Sequence, residues 1–177
     1  RMEELEQEKQ LSPLPPVIIG GALVIPASML NSMEDTYSPG LFGQNTQAVE
    51  IAAMQAVIMV EREKGYEPVD VSADKCGYDI ESKTGNGKLR FIEVKGRTRG
   101  AATITVTKNE ILTALNKPDD FILAVVEVDS NKAKVCYLKK PFRYQPDFAA
   151  TSVNYSIEEL MAVSSEVETR EMILDGV

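Results

Sequence analysis

Two short segments carry residues that could do chemistry together, Gly77-Tyr78-Asp79-Ile80 and Phe91-Ile92-Glu93-Val94-Lys95-Gly96-Arg97. Side chains in a strand alternate between faces, so Glu93 and Lys95 share one side of the second segment. If the two segments pair as a hairpin, Asp79 joins them. Two carboxylates can hold a divalent cation, and a lysine beside them can stabilise or deprotonate a group that attacks phosphate. The cluster predicts a metal-dependent nuclease.

The charge distribution around this cluster favours a phosphate-rich ligand. The whole chain has a formal net charge of −8, yet residues 83–108 carry seven basic residues and the single acid Glu93. A local positive field suits a nucleic-acid backbone, and the acidic remainder would limit indiscriminate binding. A solvated hairpin with a basic outer face is the alternative interpretation.

Residue types that are missing narrow the chemistry. The sequence has no histidine, which excludes Ser-His-Asp and Cys-His hydrolase sites and histidine-ligated zinc. Acid–base chemistry would have to use carboxylates, lysine, tyrosine or metal-bound water. Cys76 and Cys136 form neither a CxxC pair nor a zinc spacing, which predicts free thiols in a reducing cytoplasm.

No segment predicts a membrane span or secretion. The longest nearly apolar run, Val17 to Leu30, contains glycines and a proline and is shorter than the roughly 20 residues that cross a bilayer. No charged and apolar leader opens the sequence. We therefore expect a cytoplasmic protein with no membrane partner.

The order of predicted elements indicates an α/β domain between two extensions. Residues 1–40 are predicted to be an N-terminal arm or linker from a larger parent protein, 41–165 the domain, and 166–177 a C-terminal tail without a clear pattern. The predicted helices are 46–64, 107–116 and 157–163, and the predicted strands are 68–72, 77–82, 89–95, 103–107, 121–128 and 134–138.

Local signals support these elements. Thr84-Gly85-Asn86-Gly87 predicts a hairpin turn, and Thr107-Lys108-Asn109-Glu110 is a capping box that opens a helix. The continuous apolar run Phe121–Val128 is typical of a central strand buried on both faces. We expect a mixed sheet flanked by helices.

These segments resemble the No-Vein C-terminal-like domain. The likeness covers about residues 44–140 and includes a helix with a glutamate, Gly-Tyr-Asp-Ile, Ile-Glu-Val-Lys-Gly-Arg, a Thr-x-x-Glu helix start and an apolar strand. That domain resembles the Mrr-like branch of the PD-(D/E)xK nuclease superfamily. The resemblance implies a restriction-endonuclease-like core with a central mixed β-sheet flanked by helices. Tyr78 stands where the proline of the superfamily's motif is expected.

The resemblance implies a role for the central residues. Asp79, Glu93 and the Val94 carbonyl would coordinate Mg²⁺ or Mn²⁺, cations that prefer oxygen ligands. Lys95 would orient the attacking water or stabilise the charge that develops at phosphorus.

Residues around this centre would complete the site. Glu50 would contribute from the preceding helix, where Glu61 is an alternative acid. Arg97, Arg99 and Lys108 would bind flanking phosphates and set register rather than sequence.

The expected function is a metal-dependent phosphodiesterase acting on DNA, accessory to a helicase-like protein whose other domains are its partners. A homodimer would supply the two sites needed to cut both strands of a duplex. The alternative is a catalytically silent nucleic-acid-binding or protein-interaction module of the same protein. Four aromatic residues either stack on bases or pack the core, and packing is the favoured interpretation for Tyr137, Phe142, Tyr144 and Phe148.

Overall fold

The computed structural model of the chain describes residues 39–174. Its helices are α1 (Pro39–Glu63), α2 (Lys108–Asn116) and α3 (Ile157–Val163). Its strands are β1 (Glu67–Asp70), β2 (Ile80–Lys83), β3 (Leu89–Thr98), β4 (Thr103–Thr107), β5 (Phe121–Asp129), β6 (Lys132–Lys139), β7 (Ser152–Ser156) and β8 (Glu166–Ile173). The predicted arm lies outside the described residues, apart from its last two positions.

A six-stranded mixed sheet forms the centre of the domain, in the order β1-β2-β3-β5-β6-β8. Strands β3 and β5 run parallel, and the other neighbours in this sheet run antiparallel. Parallel neighbours need a crossover connection, which β4 and α2 provide here. The predicted α/β fold with a mixed sheet flanked by helices is confirmed, and it is compatible with a restriction-endonuclease-like core.

Strand β5 shows why its sequence is almost continuously apolar. Ile122, Ala124 and Val126 pack into one buried cluster with α1. Phe121, Leu123 and Val125 pack into a second cluster, on the other face, with α2 and α3. Both faces of the strand are therefore covered, as predicted. None of the helices in residues 39–174 is long and apolar enough to cross a membrane.

Helix α1 begins at Pro39, earlier than predicted, and packs closely on β3 at Gly96. A Cβ atom at Gly96 would lie 2.9 Å from the Val49 carbonyl oxygen and 3.0 Å from the Ala53 Cβ. The missing side chain lets the helix approach the sheet. This contact places the turn of α1 that carries Glu50 beside the Glu-x-Lys segment of β3.

The last strand corrects the prediction of a C-terminal tail from residue 166. Residues 166–173 form β8, which pairs antiparallel with β6 along its length. Most of its side chains are exposed, so the strand lacks the alternation that identifies a half-buried strand. Its conformation depends on backbone pairing with β6. The unpredicted strand β7 is also polar and pairs with β4, and we call this pair the β4–β7 ribbon.

Candidate active site

A cleft of about 430 Å³ opens at the start of β2, where the longer β3 extends past the last β2–β3 pair. It brings together six of the eight residues predicted for the site, namely Glu50, Asp79, Glu93, Val94, Lys95 and Arg97. Arg99 and Lys108 do not line it. Glu110 of α2, which the sequence analysis assigned only to a helix cap, does.

Asp79 continues the β2–β3 ladder by one residue and then turns its side chain onto β3. The last pair of the ladder is Ile80 with Ile92, so the same register places Asp79 opposite Glu93. The Asp79 N–H donates to the Ile92 carbonyl at 2.9 Å. Its carboxylate oxygen Oδ2 accepts the Val94 N–H at 2.9 Å. The acid predicted from Gly-Tyr-Asp-Ile is therefore fixed to the backbone of the Glu-x-Lys strand.

The turn before Asp79 depends on a glycine. Gly77 has a φ of 87°, in the left-handed region that favours glycine. A Cβ atom there would also overlap the Thr113 hydroxyl of α2. The turn can therefore lie directly against α2 while it delivers Asp79 to the sheet.

Lys95 is held between two carboxylates. Its Nζ lies 2.7 Å from Glu93 Oε1 and 2.8 Å from Glu110 Oε2. Glu93 is only 3 % exposed, and the side chains of Lys95 and Glu110 are mostly buried. The predicted placement of Glu93 and Lys95 on one side of the strand is confirmed. Glu110 is a cleft residue that was not predicted from the sequence. The signal for it is its place in a capping box directly after a strand, which puts its carboxylate at the first turn of α2.

Burial and mutual charge shift the protonation equilibria of this cluster. Burial raises the pKa of Glu93 to about 8; Lys95 opposes this rise, and Asp79 and Glu110 add to it. Burial also raises the pKa of Asp79, and this effect outweighs the hydrogen bond from the Val94 N–H and the charge of Lys95, which both lower the pKa. Burial works to lower the pKa of Lys95, but the carboxylates of Glu93 and Glu110 outweigh it and raise the pKa. Incoming positive charge would therefore stabilise the ionised forms of Asp79 and Glu93.

The donor set in the cleft is compatible with a Mg²⁺-type ion. Among residues 39–174, no three Asp, Glu or Cys side chains are arranged to enclose a metal ion. A closed structural metal site is therefore a poor fit. Mg²⁺ is commonly held by one or two carboxylates and keeps several waters or substrate phosphates. Asp79, Glu93 and the backbone of Val94 meet that smaller requirement.

The remaining predicted residues divide between the cleft and its surroundings. Glu50 is exposed and lines the α1 side of the cleft. Arg97 lies at the cleft and donates from Nε to the Thr103 carbonyl at 3.1 Å. Arg99 lies 3.0 Å from Asp129 in an exposed ion pair. Lys108 donates to the Phe148 carbonyl at 2.8 Å.

Residues 83–108, here called the basic segment, have part of their positive charge neutralised by acids of other elements in the fold. Acids from other elements pair with several of its cations, in the pairs Lys83–Glu67, Lys88–Asp120, Arg90–Glu61 and Arg99–Asp129. Within the described part of the chain, Arg97 and Lys108 form no ion pair with a carboxylate. They are therefore the strongest candidates for phosphate contacts.

Two alternatives raised by the sequence have different outcomes. Glu61, the alternative helix acid, is fully buried and pairs with Arg90 at 3.2 Å, outside the cleft. The aromatic residues split into two groups. Tyr137 and Phe142 are buried, which confirms the prediction of core packing for them. Tyr144 and Phe148 are 83 % and 96 % exposed, so the same prediction is wrong for these two.

The comparison with protein families supports the resemblance seen in the motifs. The family model described as Protein NO VEIN, C-terminal matches residues 49–138, just over half of the chain. The chain belongs to this family. No curated protein and no solved structure matches the chain. In this NO VEIN C-terminal domain, the matched residues include the carboxylates and the lysine of the cleft, whereas β7, α3 and β8 follow the matched span.

Proposed function

We propose that this domain is a metal-dependent nucleic-acid phosphodiesterase of the PD-(D/E)xK type, with DNA as its expected substrate. The observation that carries the proposal is the meeting of Asp79, Glu93 and Lys95 in one open cleft. Glu93 lies on β3, and Asp79 lies directly before the first residue of β2, opposite Glu93. This arrangement combines fixed acids with access for an extended ligand.

Asp79, Glu93 and the backbone of Val94 would hold Mg²⁺ or Mn²⁺ in this proposal. A bound ion would supply Lewis-acid activation of water and would offset negative charge on the phosphate. Lys95 would place its ammonium beside the same phosphate, where it stabilises developing charge. Glu110 would keep that ammonium in position through its 2.8 Å contact.

The outer residues would bind and orient the substrate. Glu50 would present its carboxylate from the α1 side of the cleft, where it can accept a hydrogen bond from water. Arg97 at the cleft and Lys108 beyond it would contact flanking phosphates. We further propose that the domain serves a helicase-like parent protein, which is the context that the resemblance implies.

A second candidate is a catalytically silent module that binds nucleic acid or protein. The pairing of Lys95 with two carboxylates favours it, because both partners reduce the positive charge available to a phosphate. The lack of a three-carboxylate enclosure in residues 39–174 also favours it. The two candidates differ in their response to metal.

A cleavage assay separates the two candidates. The domain is incubated with single-stranded, duplex and branched DNA, with Mn²⁺ or with EDTA. Lys95→Ala is compared with Lys88→Ala, which removes the same charge from a solvent-exposed pair with Asp120. Metal-dependent cleavage that is lost in Lys95→Ala and kept in Lys88→Ala supports the nuclease. Salt-sensitive binding without cleavage contradicts it and favours the silent module.

Metal binding provides a second measurement. Calorimetric titration with Mn²⁺ should detect binding to the wild-type domain and a loss of affinity in Asp79→Asn. Equal affinities would exclude Asp79 as a metal ligand.

A further inference from the structure

The β4–β7 ribbon presents an uncharged polar face beside the cleft. Ile104 and Val106 of β4 point into the core, while alternate positions Thr103, Thr105 and Thr107 are exposed. Their partners on β7 are the small polar residues Ser156, Asn154 and Ser152. Thr105 also lines the cleft, so this polar face begins inside the candidate active site.

Two cations border the face, one at each end of β4. Arg97 donates to the Thr103 carbonyl at 3.1 Å, and Lys108 directly follows Thr107. Neither forms an ion pair with a carboxylate within residues 39–174. In a chain with a net charge of −8, a face with two cations at its ends and no acid of its own is complementary to a phosphate backbone.

An exposed aromatic ring lies at the Lys108 end. Phe148 is 96 % exposed, and the Lys108 ammonium lies 5.0 Å from its ring centroid. The same ammonium donates to the Phe148 carbonyl at 2.8 Å, which ties the ring to the start of α2. By contrast, the rings of Phe142 and Tyr155 pack against each other in a buried cluster. The Phe148 ring takes no part in the buried clusters of the described residues.

We infer that this face, from Arg97 through the ribbon to Lys108 and Phe148, binds single-stranded nucleic acid and guides it into the cleft. The inference rests on the proposed function for the role of the cleft. A base would stack on the Phe148 ring, and phosphates would contact Lys108 and Arg97. The two proposed phosphate contacts lie at opposite ends of β4. The four residue steps from Thr103 to Thr107 span about 13 Å.

The exposed ring is the reason for preferring a single strand to a duplex. In a duplex each base is covered by its neighbours, whereas an unpaired base can be turned onto an aromatic side chain. A polar ribbon without acids also lacks the apolar area that a stable protein partner usually covers.

Fluorescence anisotropy in EDTA tests the inference without requiring cleavage. The probes are a labelled oligothymidylate, the matching oligouridylate and a duplex of the same length. Phe148→Ala is expected to weaken single-strand binding by about fivefold or more. The control Ile173→Ala, which removes a 60 % exposed apolar side chain from β8, should bind like the wild type. Wild-type affinity in Phe148→Ala, or tighter binding of the duplex, would overturn the inference.

Salt dependence tests the two cations. Arg97→Gln and Lys108→Gln should each reduce the slope of log affinity against log salt by about 0.7. Arg170→Gln, which removes an arginine of β8 that is already paired with Glu168, should leave the slope unchanged. Unchanged slopes in both test variants would also overturn the inference. The DNA and RNA probes show which sugar is preferred.

Binding and cleavage can fail separately in these experiments. Tight, Phe148-dependent binding in EDTA with no cleavage in Mn²⁺ would support the single-strand surface and contradict the nuclease. Cleavage that does not change with Phe148→Ala, together with unchanged binding, would support the nuclease and contradict the surface.

Discussion

Glu110 Oε2 lies 2.8 Å from the Lys95 ammonium and also accepts the Thr107 N–H at 3.0 Å. One carboxylate oxygen therefore serves both the N-terminal cap of α2 and the lysine of the cleft. The cap fixes where the carboxylate stands, and the carboxylate in turn limits where the ammonium can go. This shared contact links the first turn of α2 to β3.

Replacing the Glu110 carboxylate by an amide should change Lys95 with little effect on the helix. Glu110→Gln keeps a side-chain oxygen for the cap but removes one of the two charges that hold the pKa of Lys95 up. The pKa of Lys95 should fall, as measured by NMR titration of its side chain. Thr107→Ala removes the other half of the cap, should cost about 1 kcal/mol of stability, and keeps both carboxylates. An unchanged lysine pKa in Glu110→Gln would contradict this assignment.

The raised pKa of Glu93 predicts a pH-dependent stability. Its pKa is about 8 in the fold against an ordinary value of 4.5, so the folded state holds this proton more tightly. The stabilisation from the protonated Glu93 is complete below pH 4.5 and is lost as the pH rises through about 8. Relative to Glu93→Gln, the wild-type free energy of unfolding should fall by at most about 1.4 kcal/mol per pH unit across this window. Urea unfolding at several pH values measures it, and a difference that rises with pH would show the opposite shift.

A side chain at Gly96 should disturb the helix that carries Glu50. Gly96→Ala places a Cβ atom 2.9 Å from the Val49 carbonyl oxygen, so α1 must move outward. We expect a loss of about 1–3 kcal/mol in chemical unfolding. Gly85→Ala is the matched control, because nothing lies within 4 Å of its Cβ position. Equal stability of both variants would show that α1 adapts freely.

The buried pair of Glu61 and Arg90 should matter more than an exposed pair of the same type. Glu61 is fully buried, and Arg90 approaches it to 3.2 Å, while Lys64 is more distant at 3.9 Å. Arg90→Met should destabilise the domain by about 3 kcal/mol, because it leaves a buried carboxylate poorly paired.

An exposed pair provides the comparison for this prediction. Lys83→Met breaks the solvent-exposed contact with Glu67 at 3.9 Å, and the change should stay below about 1 kcal/mol. Thermal unfolding of both variants measures the difference. Similar losses would mean that burial of Glu61 does not strengthen its dependence on arginine.

Short-range patterns were sufficient to predict much of this domain. Strand β4 and helix α3 lie at the predicted positions, and α2 begins at its predicted capping box, because their signals are local. The pairing that brings Asp79 beside Glu93 follows from one hairpin and its register. Strand β5 was identified because burial on both faces leaves an apolar sequence.

Longer-range relationships could not be predicted in the same way. The contact of Glu110 with Lys95 depends on how α2 packs over the sheet, which no spacing in the sequence specifies. Strand β8 is polar because it forms a sheet edge, and its conformation depends on pairing with β6, which lies far from it in the sequence. The basic segment was predicted from its charges alone, whereas its field depends on acids that other elements bring to it.

The β2–β3 ladder ends at Ile80 and Ile92, whereas β3 continues to Thr98. Beyond Ile92, the backbone groups of β3 that face β2 therefore have no neighbouring strand. Such an edge can recruit a strand from another molecule and start aggregation. Here Asp79 takes the Val94 N–H, and Arg97 donates to the Gly96 carbonyl at 2.8 Å. Two side chains of the cleft thus also occupy backbone groups with which an incoming strand would have to pair.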